Sequence, residues 1–379
     1  MIGPIDPRDF KLAEMLLNHS VAAKENDLVY IECVGSSTMR LGAALVEVAA
    51  NIGVAPALHY TDSTIQRRLI NAGNEKALKR LGEFELEEMK NAQCYIGIRG
   101  AENIFETSGV HSDKMALFTK HIRIPVHLKQ RVNHTRWAVL RYPNASMAQL
   151  AQMSTQDFED FYYNVCLVDY PAMGRAVQPL VELMDKTDRV KIVGPGETNL
   201  SFSIKYIPSI PCYGEHNIPD GECFTAPLKE SINGVVQFNT PTVYEGEAFD
   251  CIRIEFENGK AVKAHATGES QTEKLNRILD RDAGARFIGE FAIAFNPGIL
   301  TPMRDILFDE KIAGSFHMAF GQSYDKASNG NDSAIHWDCV CIQRPEYGGG
   351  EIYFDDLLIR KNGEFVVDAL KGLNPSSMK

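Results

Sequence analysis

The sequence predicts an N-terminal α/β domain with a mainly parallel sheet, followed by a β-rich α+β domain. The chain has 379 residues, which is more than one ordinary hydrophobic core accommodates. Strand and helix patterns alternate in the first half, whereas hairpin-like strand patterns dominate the second half. The pattern changes near Gly194-Pro-Gly196, and we place the two domains at residues 1–187 and 188–379.

The first domain opens with a strand–helix–strand unit. Residues 27–34 and 56–60 are apolar runs of strand length, and residues 39–50 between them carry apolar side chains at helical spacing. This order predicts two parallel strands. The Gly35-Ser-Ser-Thr38 turn is interpreted as an ordinary strand-to-helix connection, because the sequence lacks the glycine motifs of nucleotide-binding loops.

The alternation continues to the end of the first domain. Pro171 and Pro179 are expected to divide its last helical region. Further strands are predicted at 93–98 and 136–141, and helical regions at 63–92, 112–123 and 146–186.

The second domain is predicted to be built from antiparallel strands. Polar and apolar residues alternate in several of its segments, as in strands with one buried face. Glu257-Asn-Gly259 contains the Asn-Gly pair that is typical of hairpin turns. One helix is expected at 270–280, and strands are expected at 189–193, 199–205, 234–239, 248–256, 260–265 and 333–341.

Composition and charge exclude several classes of protein. The chain is 44% hydrophobic and 23% charged, as is usual for globular proteins. A net charge of −11 argues against a nucleic-acid or anionic-membrane partner. No apolar run is long enough for a membrane span, and the N-terminus lacks the pattern of a signal peptide. Eight cysteines without a CxxC pair indicate reduced thiols and a cytoplasmic location.

A candidate metal-binding pair lies in the apolar strand predicted at 333–341. His336 and Asp338 are two residues apart, so both side chains project from one face of a strand while Trp337 projects from the other. An imidazole and a carboxylate fixed in this way are suitable metal ligands. An ordinary hydrogen-bonded pair is the alternative interpretation of these two residues alone.

Three further candidate ligands lie in apolar or turn-rich segments of the second domain. Glu290 is the only charged residue in Phe287-Ile-Gly-Glu-Phe-Ala-Ile-Ala-Phe295, and a buried carboxylate there needs a cation or hydrogen bonds. His317 lies between apolar residues, and Glu222 lies in a turn that leads into a strand. Two imidazoles and three carboxylates suit a pair of divalent ions that activate water for hydrolysis of an amide, ester or phosphoester.

Each of these residues also has a structural interpretation. Glu290 would pair with a buried arginine such as Arg286 or Arg304, His317 would bond a backbone carbonyl, and Glu222 would face water. Tyr324 would be a surface-loop tyrosine, although its phenol is also suited to donate a hydrogen bond to a developing oxyanion.

Four stretches of the sequence, in order, resemble the signature of the aminopeptidase T and aminopeptidase S metallopeptidases. They are Asn217-Ile-Pro-Asp-Gly-Glu-Cys-Phe-Thr-Ala-Pro, Gly289-Glu290, His317-Met-Ala-Phe-Gly and Asn331-Asp-Ser-Ala-Ile-His-Trp-Asp. The resemblance is specific within residues 194–342, and the α/β pattern of the first half is compatible with it.

The resemblance implies a catalytic site in the second domain. The positions of the five candidate ligands would bind two metal ions of zinc, cobalt or magnesium, and Tyr324 would assist catalysis. Glu222 and Glu290 would supply the carboxylate that bridges the two ions and the carboxylate that relays a proton. The sequence does not decide which of the two residues has which role. The implied protein is a cytoplasmic, homodimeric metal-dependent aminopeptidase that removes N-terminal residues from peptides with a free N-terminus.

Two other functions are alternatives to the aminopeptidase. Dihydroxypyridine dioxygenases are similar to this family in fold, and a mononuclear iron(II) enzyme of that type would use His317, His336 and Asp338 alone. The two additional carboxylates, Glu222 and Glu290, favour the two-metal peptidase. A non-catalytic binding protein on the same scaffold would be favoured by loss of a ligand, and all five are present.

Overall fold

The computed structural model of the chain describes residues 3–378 and contains two compact units. The first unit comprises the chain up to Leu167 together with Gly214–Ile218, and the second comprises Val168–Tyr213 and the chain from Pro219 onward. The boundary predicted at residue 187 places the helix Tyr170–Lys186 in the first domain and Gly214–Ile218 in the second, whereas the two compact units have them the other way round.

The first unit contains the parallel sheet that the sequence predicts. Its order is β2-β1-β3-β4-β8, and every neighbouring pair is parallel. Five of the six residues of β3 are buried, as expected for a strand covered on both faces. The strands are β1 (Leu28–Val34), β2 (Ala55–Thr61), β3 (Cys94–Arg99), β4 (Arg136–Arg141) and β8 (Asn217–Ile218).

Helices connect the parallel strands of the first unit. The predicted helical region 63–92 is two helices, because the Asn74 side chain caps a new helix by accepting from the Ala77 amide. The helices are α1 (Pro7–Met15), α2 (Met39–Asn51), α3 (Ser63–Ala72), α4 (Glu75–Asn91), α5 (Ser112–Phe118), α6 (Val132–His134), α7 (Ala145–Leu150) and α8 (Thr155–Cys166). Wider π-helical segments extend α1 through Leu16–Ser20 and join α5 to α6 through Thr119–Arg131.

The predicted helical region 146–186 is interrupted just before Pro171, as expected, but not at Pro179. Ser154 caps α8, and Asp169 caps α9 (Tyr170–Lys186) by accepting from the amide of Ala172. Pro171 lies in the first turn of α9, where its missing N–H is not needed. Pro179 lies inside α9, so the prediction that it ends a helix is wrong.

An eight-stranded antiparallel sheet forms one layer of the second unit. Its order is β14-β13-β10-β6-β5-β18-β19-β20. The strand predicted at 248–256 is divided, because Cys251 takes a left-handed conformation with φ of 50°. The strands are β5 (Arg189–Val193), β6 (Asn199–Ser203), β10 (Asn233–Gln237), β13 (Arg253–Glu257), β14 (Lys260–His265), β18 (Glu351–Phe354), β19 (Leu357–Lys361) and β20 (Glu364–Phe365).

A second antiparallel sheet, called the site sheet below, has the order β17-β16-β15-β9-β7. One of its faces packs against the eight-stranded sheet. The rings of Phe202 and Phe291 are 4.9 Å apart, and those of Phe256 and Phe320 are 6.2 Å apart. The strands are β7 (Ile210–Cys212), β9 (Glu222–Thr225), β15 (Ile288–Ala294), β16 (Ser315–Gly321) and β17 (His336–Ile342).

The second unit also contains the β11–β12 hairpin (Thr242–Tyr244, Glu247–Phe249) and the helices α10 (Gly268–Leu279) and α11 (Ile306–Asp309). Short 3₁₀ helices lie at Asp325–Ala327, Pro345–Tyr347 and Asp368–Leu373. Its two large sheets are antiparallel throughout, which confirms the predicted β-rich architecture. Across residues 3–378, every helix falls short of the length and apolarity that crossing a membrane requires.

Candidate metal centre

The site sheet brings all five predicted ligands onto one of its faces. Ala319 lies opposite both Glu290 and Asp338, His317 lies opposite Ala292, and Glu222 lies opposite Ala294. Because side chains alternate between faces along a strand, this register places the acidic and imidazole groups together. The residues between them are alanines or glycine, whose small side chains leave room above the sheet. The five residues are Glu222, Glu290, His317, His336 and Asp338.

A bulge at the start of β15 aims Glu290 into this group. The register between β15 and β16 shifts between Ile288 and Glu290. A Cβ atom at Gly289 would lie 2.4 Å from the carbonyl oxygen of Gly321 and 2.5 Å from that of Gln322. Only glycine fits this close approach, so the Gly-Glu pair of the sequence is explained by the geometry of the bulge.

Glu290 lies between the two histidines. Its Oε1 atom is 3.2 Å from Nε2 of His317, and its Oε2 atom is 3.6 Å from Nε2 of His336. Glu222 Oε2 is 3.6 Å from His317, and Asp338 Oδ1 is 3.6 Å from His336. Potential ligand atoms therefore form two groups with Glu290 in common: Glu222, Glu290 and His317, and Glu290, His336 and Asp338.

Backbone carbonyls fix the orientation of both imidazoles. Nδ1 of His317 donates to the carbonyl oxygen of Glu310 at 3.1 Å, and Nδ1 of His336 donates to that of Gln322 at 2.8 Å. A carbonyl accepts only, so Nδ1 carries the hydrogen and Nε2 is directed at the carboxylates. This is the arrangement that orients metal-binding histidines in proteins.

Two carboxylate oxygens in the site are suited to receive a cation. Oε2 of Glu222 and Oε2 of Glu290 are buried and accept no hydrogen bond. Glu222 and Glu290 are only 5% and 4% exposed, so water does not solvate them freely. Buried anionic oxygens without a donor are costly, and a divalent ion between these ligands would compensate for that cost.

The electrostatics of the site reflect this concentration of carboxylates. Burial lowers the pKa of His317, but the hydrogen bond that His317 donates to Glu290 and the charges of Glu222 and Asp338 outweigh burial and raise it to about 10. Burial raises the pKa of Glu222 to about 8 against the opposing charges of Lys311 and His317. The pKa of His336 is also raised, since Asp338 and Glu290 overcome its desolvation.

The contacts of Glu290, His317 and Glu222 differ from those that a purely structural role would give them. Arg286 binds Asp280 at 2.6 Å, and Arg304 is exposed, so the partners of Glu290 are the histidines. His317 does bond a backbone carbonyl, but through Nδ1, which leaves Nε2 for the site. Glu222 is buried and does not face water.

Tyr324 lies beside the site at its more exposed side. Its ring centre is 4.8 Å from that of His336 and 5.7 Å from that of Phe224. The residue is 50% exposed, whereas His317 is 1% exposed. A phenol at the border between solvent and the ligand group is placed to contact a molecule that enters the site.

The structure adds a cluster that sequence reasoning missed. The ammonium of Lys311 lies 2.5 Å from Glu222 Oε1, 3.0 Å from Glu310 Oε1 and 3.6 Å from Asp220 Oδ1. Asp220 is two residues before Glu222 in the chain, and Glu310-Lys311 follows α11. Asp220 could have been noticed, because it lies in the same Pro-Asp-Gly-Glu turn as the candidate ligand Glu222. No local sequence pattern indicates that Lys311 is the ion-pair partner of Asp220.

The chain matches a known class of proteins, the metalloproteases. The chain belongs to the M29 family of thermophilic metalloproteases, whose family model matches residues 7–365. This finding confirms the resemblance on which the sequence analysis relied.

Individual relatives match mainly over part of their length. Aminopeptidase T from Thermus aquaticus is 36% identical over 158 residues, which cover 38% of this chain and 36% of that protein. Aminopeptidase T from Thermus thermophilus is 39% identical over 138 residues, which cover 32% of this chain and 33% of that protein. These matches span about a third of each relative. Aminopeptidase PepS from Streptococcus thermophilus is 22% identical over 418 residues, covering 94% of this chain and 97% of that protein.

Solved structures share the fold over nearly the whole chain. Wild-type AmpT from Thermus thermophilus superposes with a TM-score of 0.78 at 20% identity, covering 95% of this chain and 99% of that one. A dihydroxypyridine dioxygenase from Pseudomonas putida superposes with a TM-score of 0.62 at 14% identity, covering 96% and 98%. Both likenesses establish the α/β plus β-rich fold.

Proposed function

We propose that this protein is an aminopeptidase that removes N-terminal residues from peptides by means of water activated between two divalent metal ions. The single observation that carries the proposal is the position of Glu290, whose two carboxylate oxygens each face a different histidine. Membership of a metalloprotease family and the aminopeptidase names of the relatives supply the reaction class.

Two divalent ions would share Glu290 as a ligand. Glu222 and His317 would complete the first metal position, and His336 and Asp338 would complete the second. Imidazole with carboxylate suits zinc and cobalt, whereas magnesium prefers oxygen ligands alone. The ligand types therefore favour zinc or cobalt over magnesium.

The two ions would lower the pKa of a shared water and polarise the scissile carbonyl. The protein groups around them have separate tasks. Tyr324 donates a hydrogen bond to the oxyanion that forms when the carbonyl carbon is attacked. Glu222 and Glu290 border the reacting position, and the one that does not bridge the two ions would pass the proton of the attacking water to the leaving amine. The Glu310 and Gln322 carbonyls keep both imidazoles in the binding orientation.

The dioxygenase alternative is less well supported. A single iron with two histidines and one carboxylate would leave Glu222 and Glu290 as buried carboxylates without a function. Here both point into the ligand group, and the Oε2 atom of each accepts no hydrogen bond. The shared fold with the dioxygenase does not decide between the two chemistries.

The cytoplasmic location, the homodimer and the preference for peptides with a free N-terminus are further parts of the proposal, and they rest on the family resemblance. The free amine is the feature that an aminopeptidase must recognise, and the acidic site supplies the charge that attracts it.

The proposed reaction is tested with Leu-p-nitroanilide and its N-acetylated counterpart as a matched pair, in the presence of Co²⁺ or Zn²⁺. The proposal predicts release of nitroaniline from the first compound and none from the second, because acetylation removes the N-terminal charge. Equal cleavage of both compounds would indicate a different hydrolase. Binding of two metal equivalents without cleavage of any N-terminal residue would indicate a binding protein.

Metal binding is expected to release protons at pH 7. His317, whose pKa is raised to about 10, must lose a proton to coordinate an ion. The affinity for Zn²⁺ is therefore expected to rise with pH between pH 6 and the pKa of His317. Calorimetric titration in buffers of different ionisation enthalpy measures the release directly. A binding enthalpy that does not change with the buffer would contradict the assignment.

A further inference from the structure

One short segment orients two of the three ligands at the first metal position. The carbonyl of Glu310 accepts from Nδ1 of His317, and the ammonium of the next residue, Lys311, pairs with Glu222 at 2.5 Å. The side chain of Asp309 fixes the start of this segment by accepting from the amide of Met303 at 2.6 Å. Residues 309–311 therefore act as a common support for His317 and Glu222.

Lys311 is held in place from several directions. Its side chain is 1% exposed, and it lies within 4 Å of the carboxylates of Asp220, Glu222 and Glu310. The backbone of Lys311 is also fixed, since its carbonyl accepts from the amide of Asn296 at 3.1 Å. A lysine buried to this extent with three carboxylate partners keeps one position, because any movement would leave buried charges unpaired.

The two oxygens of Glu222 have different environments as a result. Oε1 is occupied by the Lys311 ammonium, whereas Oε2 is buried without a hydrogen bond and lies 3.6 Å from Nε2 of His317. Only Oε2 is directed at the position that Glu290 and His317 also border.

We propose that Lys311 is a positioning residue that restricts Glu222 to binding its metal through Oε2 alone. This inference rests on the proposed two-metal function, and it specifies which oxygen of Glu222 is available at the first metal position. The ammonium also lies against Asp220 and Glu222, two members of a third potential ligand group that includes Cys212. A fixed positive charge there repels a further divalent ion, so Lys311 keeps the number of bound ions at two.

The test is Co²⁺ binding to the full chain with Lys311→Met, which keeps the length of the side chain and removes its charge. We expect Co²⁺ at one of the two positions to bind about 10- to 100-fold more weakly, as for other residues that support a metal ligand. The visible absorption of that Co²⁺ is expected to weaken and shift, since Glu222 becomes free to bind through both oxygens. Lys361→Met is the matched control, because Lys361 pairs with Glu351 at 3.0 Å on the surface of the same unit.

The outcomes separate this inference from the function on which it rests. Unchanged affinity and spectrum in Lys311→Met, with two Co²⁺ bound to the unmutated protein, would overturn the role of Lys311 alone. Equal weakening at both positions would also overturn it, because Lys311 contacts a ligand of only one. Failure of the unmutated protein to bind two Co²⁺ would overturn the two-metal function as well.

Loss of the ammonium leaves three buried carboxylates, so the single variant is at risk of unfolding. The same titration is then made on Lys311→Met combined with Asp220→Asn and Glu310→Gln. This combination removes two of the charges that Lys311 balances and leaves Glu222 unchanged. The Co²⁺ affinities and the absorption spectrum of this triple variant are judged as for Lys311→Met. The control is the double variant Asp220→Asn plus Glu310→Gln, which retains Lys311.

Discussion

Glu290→Gln is expected to lower kcat/KM for Leu-p-nitroanilide by at least about 10³-fold and to reduce bound metal from two equivalents to one or fewer. Glu290 is the only residue common to both ligand groups, so its amide substitute weakens both metal positions at once. Lewis-acid stabilisation by such ions contributes several kcal/mol, and about 4 kcal/mol corresponds to a 10³-fold change in rate.

The isosteric change keeps the packing of β15, so a loss of activity reports on the carboxylate. Glu257→Gln, an exposed glutamate at the end of β13, is the control and is expected to retain full activity and metal content. Elemental analysis and the nitroanilide assay are made on the same preparations. If the Glu290→Gln variant retained two metal ions and full activity, the proposed function would lose its basis.

Tyr324→Phe is expected to lower kcat by about 10²- to 10³-fold, which is the usual effect of removing one oxyanion donor. The metal content and KM are expected to stay unchanged, because the phenyl ring still packs beside His336 and no ligand is altered. This pattern distinguishes a donor to the transition state from a residue that supports the ligands.

Tyr206→Phe provides the matched control, since Tyr206 is 88% exposed. Steady-state kinetics on metal-loaded protein give kcat and KM separately. An unchanged kcat in Tyr324→Phe would show that Tyr324 is the surface-loop tyrosine of the alternative interpretation. If the metal content of Tyr324→Phe fell together with kcat, the role of Tyr324 would instead be to support the ligand His336.

The fold was predictable wherever a local pattern determines the structure. The strands at 136–141, 189–193 and 260–265 have the predicted bounds, because β-branched and apolar residues alternate or cluster there. Helix ends were less predictable. Asn74 caps a helix inside the region 63–92, which was predicted without a break, and Pro179 does not end the helix that it was expected to end. Side-chain caps depend on a single hydrogen bond, which periodicity does not reveal.

The candidate site was predictable from isolated charges in apolar strands. Glu290 and His317 stood out because burying them alone would be costly, and the structure places them 3.2 Å apart. Lys311 did not stand out, since its segment Phe308-Asp-Glu-Lys resembles any charged turn. Its pairing with Glu222 depends on how distant segments meet in the folded chain, and no short sequence pattern encodes that contact.

Anomalous diffraction from a crystal of the Co²⁺- or Zn²⁺-loaded protein tests the two-metal site directly. We predict one peak on each side of the Glu290 carboxylate, the first bound by Glu222 and His317 and the second by His336 and Asp338. A single peak bound by His317, His336 and Asp338, with Glu290 turned away, would contradict the two-metal aminopeptidase and favour the one-metal alternative.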